Sequence, residues 1–142
     1  GEYWYSEIKP QILVERYLRD GDGNPPRDIK FYVFDGTVEF IDVHFDRFDG
    51  HSRRFFTTDW DPLEVELTYP LGPKIPEPDR LDELIETAEQ LAAGFDFLRV
   101  DLYSLEEYGI VFGELTVAPK GGSGRFRPVE FDFELGEHWE IA

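Results

Sequence analysis

Residues 97–117 decide the fold of this chain and read FLRVDLYSLEEYGIVFGELTV. The stretch contains two apolar runs separated by a short polar link, which is the pattern of a β-hairpin. Each run carries a carboxylate near its middle, Asp101 in the first and Glu114 in the second. Pairing of the two runs would bring both carboxylates close together on one face of a sheet. The stretch therefore predicts two neighbouring core strands that present acidic side chains.

Alternation along each strand assigns the neighbours of these carboxylates to one face or the other. Arg99 falls on the face of Asp101, and Phe112 and Thr116 fall on the face of Glu114. Two carboxylates so close together repel each other unless a cation or a proton lies between them. Oxygen ligands on rigid strands suit Mg²⁺, which is typically held by one or two carboxylates together with substrate phosphates. The alternative is that both carboxylates are solvated on the open face of an antiparallel sheet.

Local patterns predict the other elements. Further strands are expected where the sequence is rich in β-forming residues, at residues 11–18, 29–34, 38–45 and 53–58. Asp35-Gly36 joins the second and third of these as a hairpin turn. Apolar side chains at helical spacing predict the one main helix at residues 79–93, and residues 129–139 stay unassigned. We therefore expect an α+β fold, an antiparallel-rich sheet with one main helix, in a single domain over residues 1–142.

Composition limits the classes of function. The 142 residues are 41% hydrophobic and 16% aromatic, as in a globular domain with its own core. The formal net charge of −17 disfavours binding to nucleic acids and to anionic membranes, but it allows a nucleotide held through Mg²⁺ and a few local cations. The chain has no cysteine, which removes disulfides and thiolate chemistry and fits a cytoplasmic location. No apolar run reaches the length of a membrane span.

Taken together, these segments resemble the TupA-like ATP-grasp family, also described as ATP-grasp fold amidoligases, over nearly the whole chain. The stretches that carry the resemblance are ILVERYL at residues 12–18, DIKFY at 28–32, DWDPL at 59–63, RVDLY at 99–103 and FGELT at 112–116. The last two are similar to the Mg²⁺-binding strands shared across ATP-grasp enzymes. The resemblance implies the C-terminal, ATP-binding half of that fold, with the upstream half and its lid absent from these residues.

The resemblance also implies which residues contact the nucleoside. Glu15, Arg16 and Leu18 would belong to a hinge strand whose backbone meets the adenine edge, which needs one donor and one acceptor. Asp28 would accept hydrogen bonds from the ribose hydroxyls. The alternatives are an ordinary edge strand for the first three residues and a turn aspartate for Asp28.

The same resemblance implies a phosphate and metal site. Arg99 would hold the phosphoryl oxygens as charge develops on them, with Lys30 and Arg47 as further cations or as solvated strand residues. The implied Mg²⁺ ligands are Asp101, Glu114 and Thr116. Thr116 stands where ATP-grasp enzymes commonly have an asparagine, and a hydroxyl is a weaker ligand than an amide oxygen.

The function implied by the resemblance is ATP- and Mg²⁺-dependent carboxylate–amine ligation through an acyl phosphate. Its expected partners are the nucleotide, small carboxylate and amine substrates, and a separate N-terminal half or a second copy of the chain. Synthesis of a cell-envelope polymer or peptide is the expectation at the level of the family. The alternatives are a non-catalytic, truncated ATP-grasp module and an acidic metal-binding domain unrelated to nucleotides. The isolated chain is expected to be inactive.

Overall fold

The computed structural model describes residues 6–46 and 50–139. In this part of the chain two α-helices flank one six-stranded antiparallel sheet with the strand order β4-β3-β2-β1-β5-β6. The strands are β1 (Ile29–Phe34), β2 (Thr37–Phe45), β3 (Ser52–Phe56), β4 (Pro62–Leu63), β5 (Phe97–Leu105) and β6 (Gly109–Thr116), and the helices are α1 (Leu81–Leu91) and α2 (Glu130–Glu137). The architecture is α+β, as the sequence predicts. No helix among the described residues has the length and apolar character needed to cross a membrane.

The strand β1 organises the sheet, and every residue along it is buried. It pairs with β2 through a tight turn and with β5 on its other side. The turn residues Asp35 and Gly36 have φ of 45° and 82°, the left-handed values that the predicted Asp-Gly hairpin requires. The predicted hairpin is therefore confirmed, and it brings β2 and β5 to opposite sides of one central strand.

The helix α1 covers one face of the sheet. Its buried residues Leu81, Leu84 and Ala88 belong to the cluster that also contains Phe31 and Val100 of the sheet. Full burial of a side chain such as Leu84 contributes about 1.5–3 kcal/mol. The helix predicted at residues 79–93 is confirmed, and it covers the face of the sheet opposite to Lys30 and Asp101.

Aromatic side chains fill one end of that opposite face. This aromatic layer consists of Tyr32, Phe34, Phe40, Phe55 and Phe97, all buried. Residues 129–139, for which the sequence predicts no element, contain α2, which packs on the layer through Phe131 and Leu135. The ring centroids of Phe40 and Phe131 lie 5.5 Å apart in an edge-on arrangement. The C-terminal segment therefore covers part of the aromatic layer.

The strand predicted at residues 11–18 is wrong, because this segment has no regular secondary structure. Ile12, Leu13 and Val14 are 94%, 80% and 88% exposed. A strand needs a hydrogen-bonded neighbour and an apolar surface to pack on. The described sheet ends at β4 and β6, and the segment adds to neither edge.

A β-bulge changes the facing of part of β6. Asp101 pairs with Glu114, but the next residue Leu102 pairs with Phe112, so Gly113 is the extra residue of the bulge. Residues directly opposite each other in an antiparallel pair lie on the same face. Phe112 therefore shares the face of Leu102, towards α1, and its predicted face is wrong. The predicted face of Glu114 is confirmed.

Candidate functional site

A row of charged side chains lies beside the aromatic layer. Pairing of β2, β1, β5 and β6 sets Asp42, Lys30, Asp101 and Glu114 opposite one another in that order. Strand alternation puts this charged row on the face opposite α1. The first three are 0%, 4% and 2% exposed. Buried charges persist only with partners, and Asp42, Lys30 and Asp101 each form an ion pair.

Asp101 lies at the centre of the charged row, between two cations. The ammonium group of Lys30 contacts its Oδ2 and is also 2.7 Å from Oδ2 of Asp28. Arg99 donates from Nε to Oδ1 of Asp101 at 2.7 Å and from Nη2 to Oδ2 at 2.9 Å. Burial acts to lower the pKa of Arg99, but the hydrogen bonds and charge of Asp101 outweigh it, and the pKa of Arg99 is raised. Arg99 therefore stays charged beside Asp101.

Glu114 is the accessible member of the charged row, with a side chain that is 60% exposed. Its Oε2 lies 3.7 Å from Nη2 of Arg99, and its Oε1 accepts a hydrogen bond from Thr116 Oγ1 at 3.0 Å. Arg99 thus contacts both carboxylates and is the cation that their proximity requires. In the described ranges, 6–46 and 50–139, no three acidic or histidine side chains are arranged to hold a metal.

The oxygen donors nevertheless suit Mg²⁺ in type. Asp101, Glu114 and Thr116 are all oxygen ligands on adjacent strands, and register pairs the first two. Mg²⁺ commonly takes one or two carboxylates from the protein and the rest of its octahedral shell from water and phosphate. A magnesium ion at this position would therefore depend on a bound phosphate group for its remaining ligands.

The residues predicted to meet the adenine lie apart from the charged row. Glu15 and Arg16 are exposed and Leu18 is half-buried. The guanidinium of Arg16 is 5.3 Å from the ring centroid of Tyr108, at the turn between β5 and β6. Arg47 lies outside the described residues. The predicted residues that the structure brings together on one face are Asp28, Lys30, Arg99, Asp101, Glu114 and Thr116.

Asp42 anchors a second network, which was not predicted from the sequence. Its Oδ1 accepts from Arg53 Nε at 2.9 Å, and its Oδ2 is 2.9 Å from Nε2 of His44. Nδ1 of His44 is in turn 2.8 Å from Nε2 of His51. Burial acts to raise the pKa of Asp42, but the hydrogen bond from His44 and the charge of Arg53 outweigh it, and the pKa of Asp42 is lowered. The signal available in the sequence is that Asp42 and His44 alternate with the apolar residues Ile41, Val43 and Phe45.

A cavity of about 440 Å³ opens between these networks and the C-terminal segment. Its polar lining includes His51, Arg99 and Lys120, and the aromatic layer supplies much of its apolar wall. Lys120 belongs to a 3₁₀ turn, Pro119–Gly122, in which Lys120 and Gly121 have φ of 54° and 61°. An apolar cavity with a few convergent polar groups is the usual composition of a small-molecule site.

A family model described as TupA-like ATPgrasp matches residues 1–140. No curated protein and no solved structure matches the chain significantly. The matched range contains the charged row and the residues that line the cavity.

Proposed function

Because the chain belongs to the TupA-like ATP-grasp family, we propose that it binds Mg²⁺-ATP on the charged row and takes part in carboxylate–amine ligation. An ATP-grasp ligase-like role follows from membership of the family. The observation that supports Mg²⁺-ATP binding on the charged row is the contact of Lys30 and Arg99 with Asp101, beside the accessible carboxylate of Glu114. One face of the sheet thus offers two cations that can bind phosphate and two carboxylates that can bind a divalent ion.

Side chains of the charged row and the neighbouring Arg99 have different roles in holding the phosphates. Arg99 presents a planar fork of donors that matches phosphoryl oxygens and stabilises the charge that develops on them. Lys30 supplies a second, compact cation at the central strand. Asp101 and Glu114 would hold Mg²⁺, with Thr116 as a weaker oxygen donor, and the ion when bound neutralises charge on the phosphate oxygens. We include Asp28 in this proposal as the acceptor for the ribose, and Glu15, Arg16, Leu18 and Arg47 as the remaining nucleotide contacts.

The proposed reaction transfers a phosphoryl group from ATP to a carboxylate, and an amine then displaces phosphate. The cavity adjoining Arg99 has a volume suited to a small substrate, which supports this assignment. We propose substrates from cell-envelope polymer or peptide synthesis and a cytoplasmic location, where ATP is available. Both are inferences from the family rather than from the site.

A non-catalytic module is the second candidate. The carboxylate of Asp101 is already engaged by Lys30 and by both donors of Arg99, so a metal must compete with these contacts. The exposed apolar side chains of residues 12–14 also favour a binding role, because such stretches commonly mark interaction surfaces.

The two candidates are separated by trapping an acyl phosphate. The intact protein is incubated with Mg²⁺-ATP, hydroxylamine and a panel of amino acids, uronic acids and short peptides, and hydroxamate and phosphate are measured. A ligase releases the two products in equal amounts with at least one carboxylate. Arg99→Met should abolish both, whereas the exposed Arg125→Met is the matched control and should not. ATP binding by calorimetry without any product across the panel would instead favour the non-catalytic module.

A further inference from the structure

We propose that the cavity binds the carboxylate substrate of the ligation, and that this substrate is an acid with an aromatic or branched apolar body. This inference rests on the proposed function, because it names the chemical class of acid that the reaction takes. The carboxylate lies between Arg99 and Lys120, which both line the cavity, and the apolar body lies against the aromatic layer and α2.

The walls of the cavity determine which body the acid can carry. Phe34 and Phe97 line it with ring centroids 4.9 Å apart, and the ring of Trp139 lies 5.2 Å from that of Phe97. Leu135 of α2 lines the cavity as well, and Nε1 of Trp139 is engaged by Asp96 at 3.2 Å. Hydroxyl groups placed against these side chains would lose hydrogen bonds to water without gaining others. The wall therefore favours an aryl or branched alkyl group over a sugar.

Two cations that line the cavity keep donors for an anion. Arg99 uses Nε and Nη2 on Asp101, and among the described residues none accepts a hydrogen bond from its Nη1. Lys120 contacts Oγ1 of Thr68, and its Nζ lies 5.6 Å from the ring centroid of Tyr69. Within residues 6–46 and 50–139 Lys120 forms no ion pair. An ammonium group and a guanidinium donor in this state are complementary to a carboxylate.

The charge of the cavity favours an acid over an amine. Asp132 is the one carboxylate among the described residues that line it, and its Oδ2 accepts from the backbone nitrogen of Phe126 at 3.3 Å. Arg53 also lines the cavity but is neutralised by Asp42. An alkyl amine is largely an ammonium ion near neutral pH and would meet like charges here. The cavity is therefore assigned to the carboxylate substrate, and the amine enters from elsewhere.

Unusual backbone conformations fix the position of the ammonium group. Lys120 and Thr68 have φ of 54° and 69°, in the left-handed region that non-glycine residues seldom adopt and β-branched residues least of all. Their side chains contact each other across 52 positions of the chain. Such conformations persist where the surrounding structure holds them, and they cluster at ligand sites. The fold thus sets the position of Lys120, although the side chain is exposed.

Three acids test the substrate class in the hydroxamate assay. 3-Phenylpropanoate carries an aryl body, D-glucuronate a hydroxylated body and acetate none. With the intact protein, Mg²⁺-ATP and hydroxylamine, kcat/KM should be about 100-fold higher for 3-phenylpropanoate than for either of the others. Equal use of the three acids, or a preference for glucuronate, would overturn the apolar class while leaving the ligase intact. Wild-type protein that forms no hydroxamate with any acid would overturn the proposed function, and the substrate assignment with it.

Filling the cavity tests where the acid binds. Gly136 of α2 lines the cavity, and a Cβ at this position would meet nothing within 4 Å. Gly136→Phe should raise KM for 3-phenylpropanoate at least about tenfold and leave KM for ATP within about twofold of wild type. Glu134→Phe, at an exposed position of the same helix outside the cavity lining, is the matched control. An unchanged KM for the acid, or a raised KM for ATP alone, would overturn the assignment, the second by indicating that the nucleotide occupies the cavity.

Lys120→Met tests the carboxylate end, and it decides the location independently if Gly136→Phe does not fold. KM for 3-phenylpropanoate should rise about tenfold with little change in KM for ATP, and Lys120→Arg should restore most of the loss. Lys74→Met is the matched control, because Lys74 is exposed and lies outside the cavity lining. A raised KM for ATP with an unchanged KM for the acid would assign Lys120 to the phosphates and overturn its contact with the carboxylate.

Discussion

Lys30 and Asp101 form a buried ion pair across the pairing of β1 and β5, with side chains 6% and 3% exposed. The two residues are register partners, so the contact is a direct consequence of how the strands pair. The same ammonium group lies 2.7 Å from Asp28. The candidate phosphate site is therefore part of the central scaffold of the sheet. Substitutions in it are expected to change stability as well as nucleotide binding.

Lys30→Met should lower the free energy of unfolding by about 3–5 kcal/mol, because it leaves the carboxylates of Asp28 and Asp101 buried without their shared cation. Urea unfolding followed by tryptophan fluorescence measures the change. Lys74→Met is the matched control, since Lys74 is 63% exposed and its pair with Glu64 is solvated. Equal stability of the two variants would contradict the burial of the Lys30 pair.

Asp101→Asn should destabilise the metal-free protein. From sequence alone the opposite is expected, because Asn would relieve repulsion with Glu114. The structure instead sets two cations on Asp101, and removing its charge should cost about 1–3 kcal/mol. Metal-free melting temperature tests this, and calorimetry with ATP should show that Mg²⁺-dependent binding is lost. Glu114→Gln, at an exposed position, should weaken that binding without lowering the melting temperature. A melting temperature for Asp101→Asn at or above that of wild type would show that repulsion between Asp101 and Glu114 outweighs the contacts of Asp101 with its two cations.

The local elements could be predicted from sequence because their signals are local. Asp35-Gly36 specifies its turn, and residues 97–117 carry both strands and their link within one stretch. The pairing of β1 with β5 could not be predicted in this way. It joins Lys30 to Asp101 across 71 positions of the chain, and no local pattern records such a contact.

The errors have separate physical causes. Residues 11–18 have a β-rich pattern, but a pattern cannot show whether a neighbouring strand is present to pair with it. The bulge at Gly113 shifts the alternation of side chains between the two faces by one residue, and the sequence pattern carries no signal of that shift. The link from His44 to His51 depends on the pairing of β2 with β3, so the two histidines become a network only in three dimensions.

Gly113→Ala should destabilise the bulge that positions Glu114. A Cβ at this position would lie 3.0 Å from the backbone oxygen of Asp101 and 3.1 Å from the ring of Tyr103. Since the backbone oxygen cannot move freely, we expect a loss of about 1–3 kcal/mol in urea unfolding. Gly136→Ala is the control, because its Cβ would meet nothing within 4 Å and alanine favours the helix α2. A Gly113 variant as stable as wild type would mean that the bulge tolerates a side chain.

Asp42→Asn should remove a contribution to stability that depends on pH. The pKa of Asp42 is lower in the folded state than its ordinary value of 3.8, so the folded state favours the ionised form. That contribution is complete at pH values above the unfolded-state pKa and is lost as pH falls through the lower folded-state value. The free energy of unfolding of wild type should therefore exceed that of the variant by about 3–5 kcal/mol at pH 7, where the variant leaves Arg53 buried without its anion.

The same difference should shrink once the pH falls below about 4, because Asp42 of the unfolded wild-type chain then begins to take up a proton while Asp42 of the folded protein stays ionised. Urea unfolding of both proteins at a series of pH values measures it directly, and taking the difference cancels the titration of the other carboxylates. Asp59→Asn, at an exposed position, is the matched control and should differ little from wild type across the whole range. A gap between wild type and Asp42→Asn that stays constant or widens in acid would show that Asp42 is not the ionised anchor of its network with Arg53 and His44.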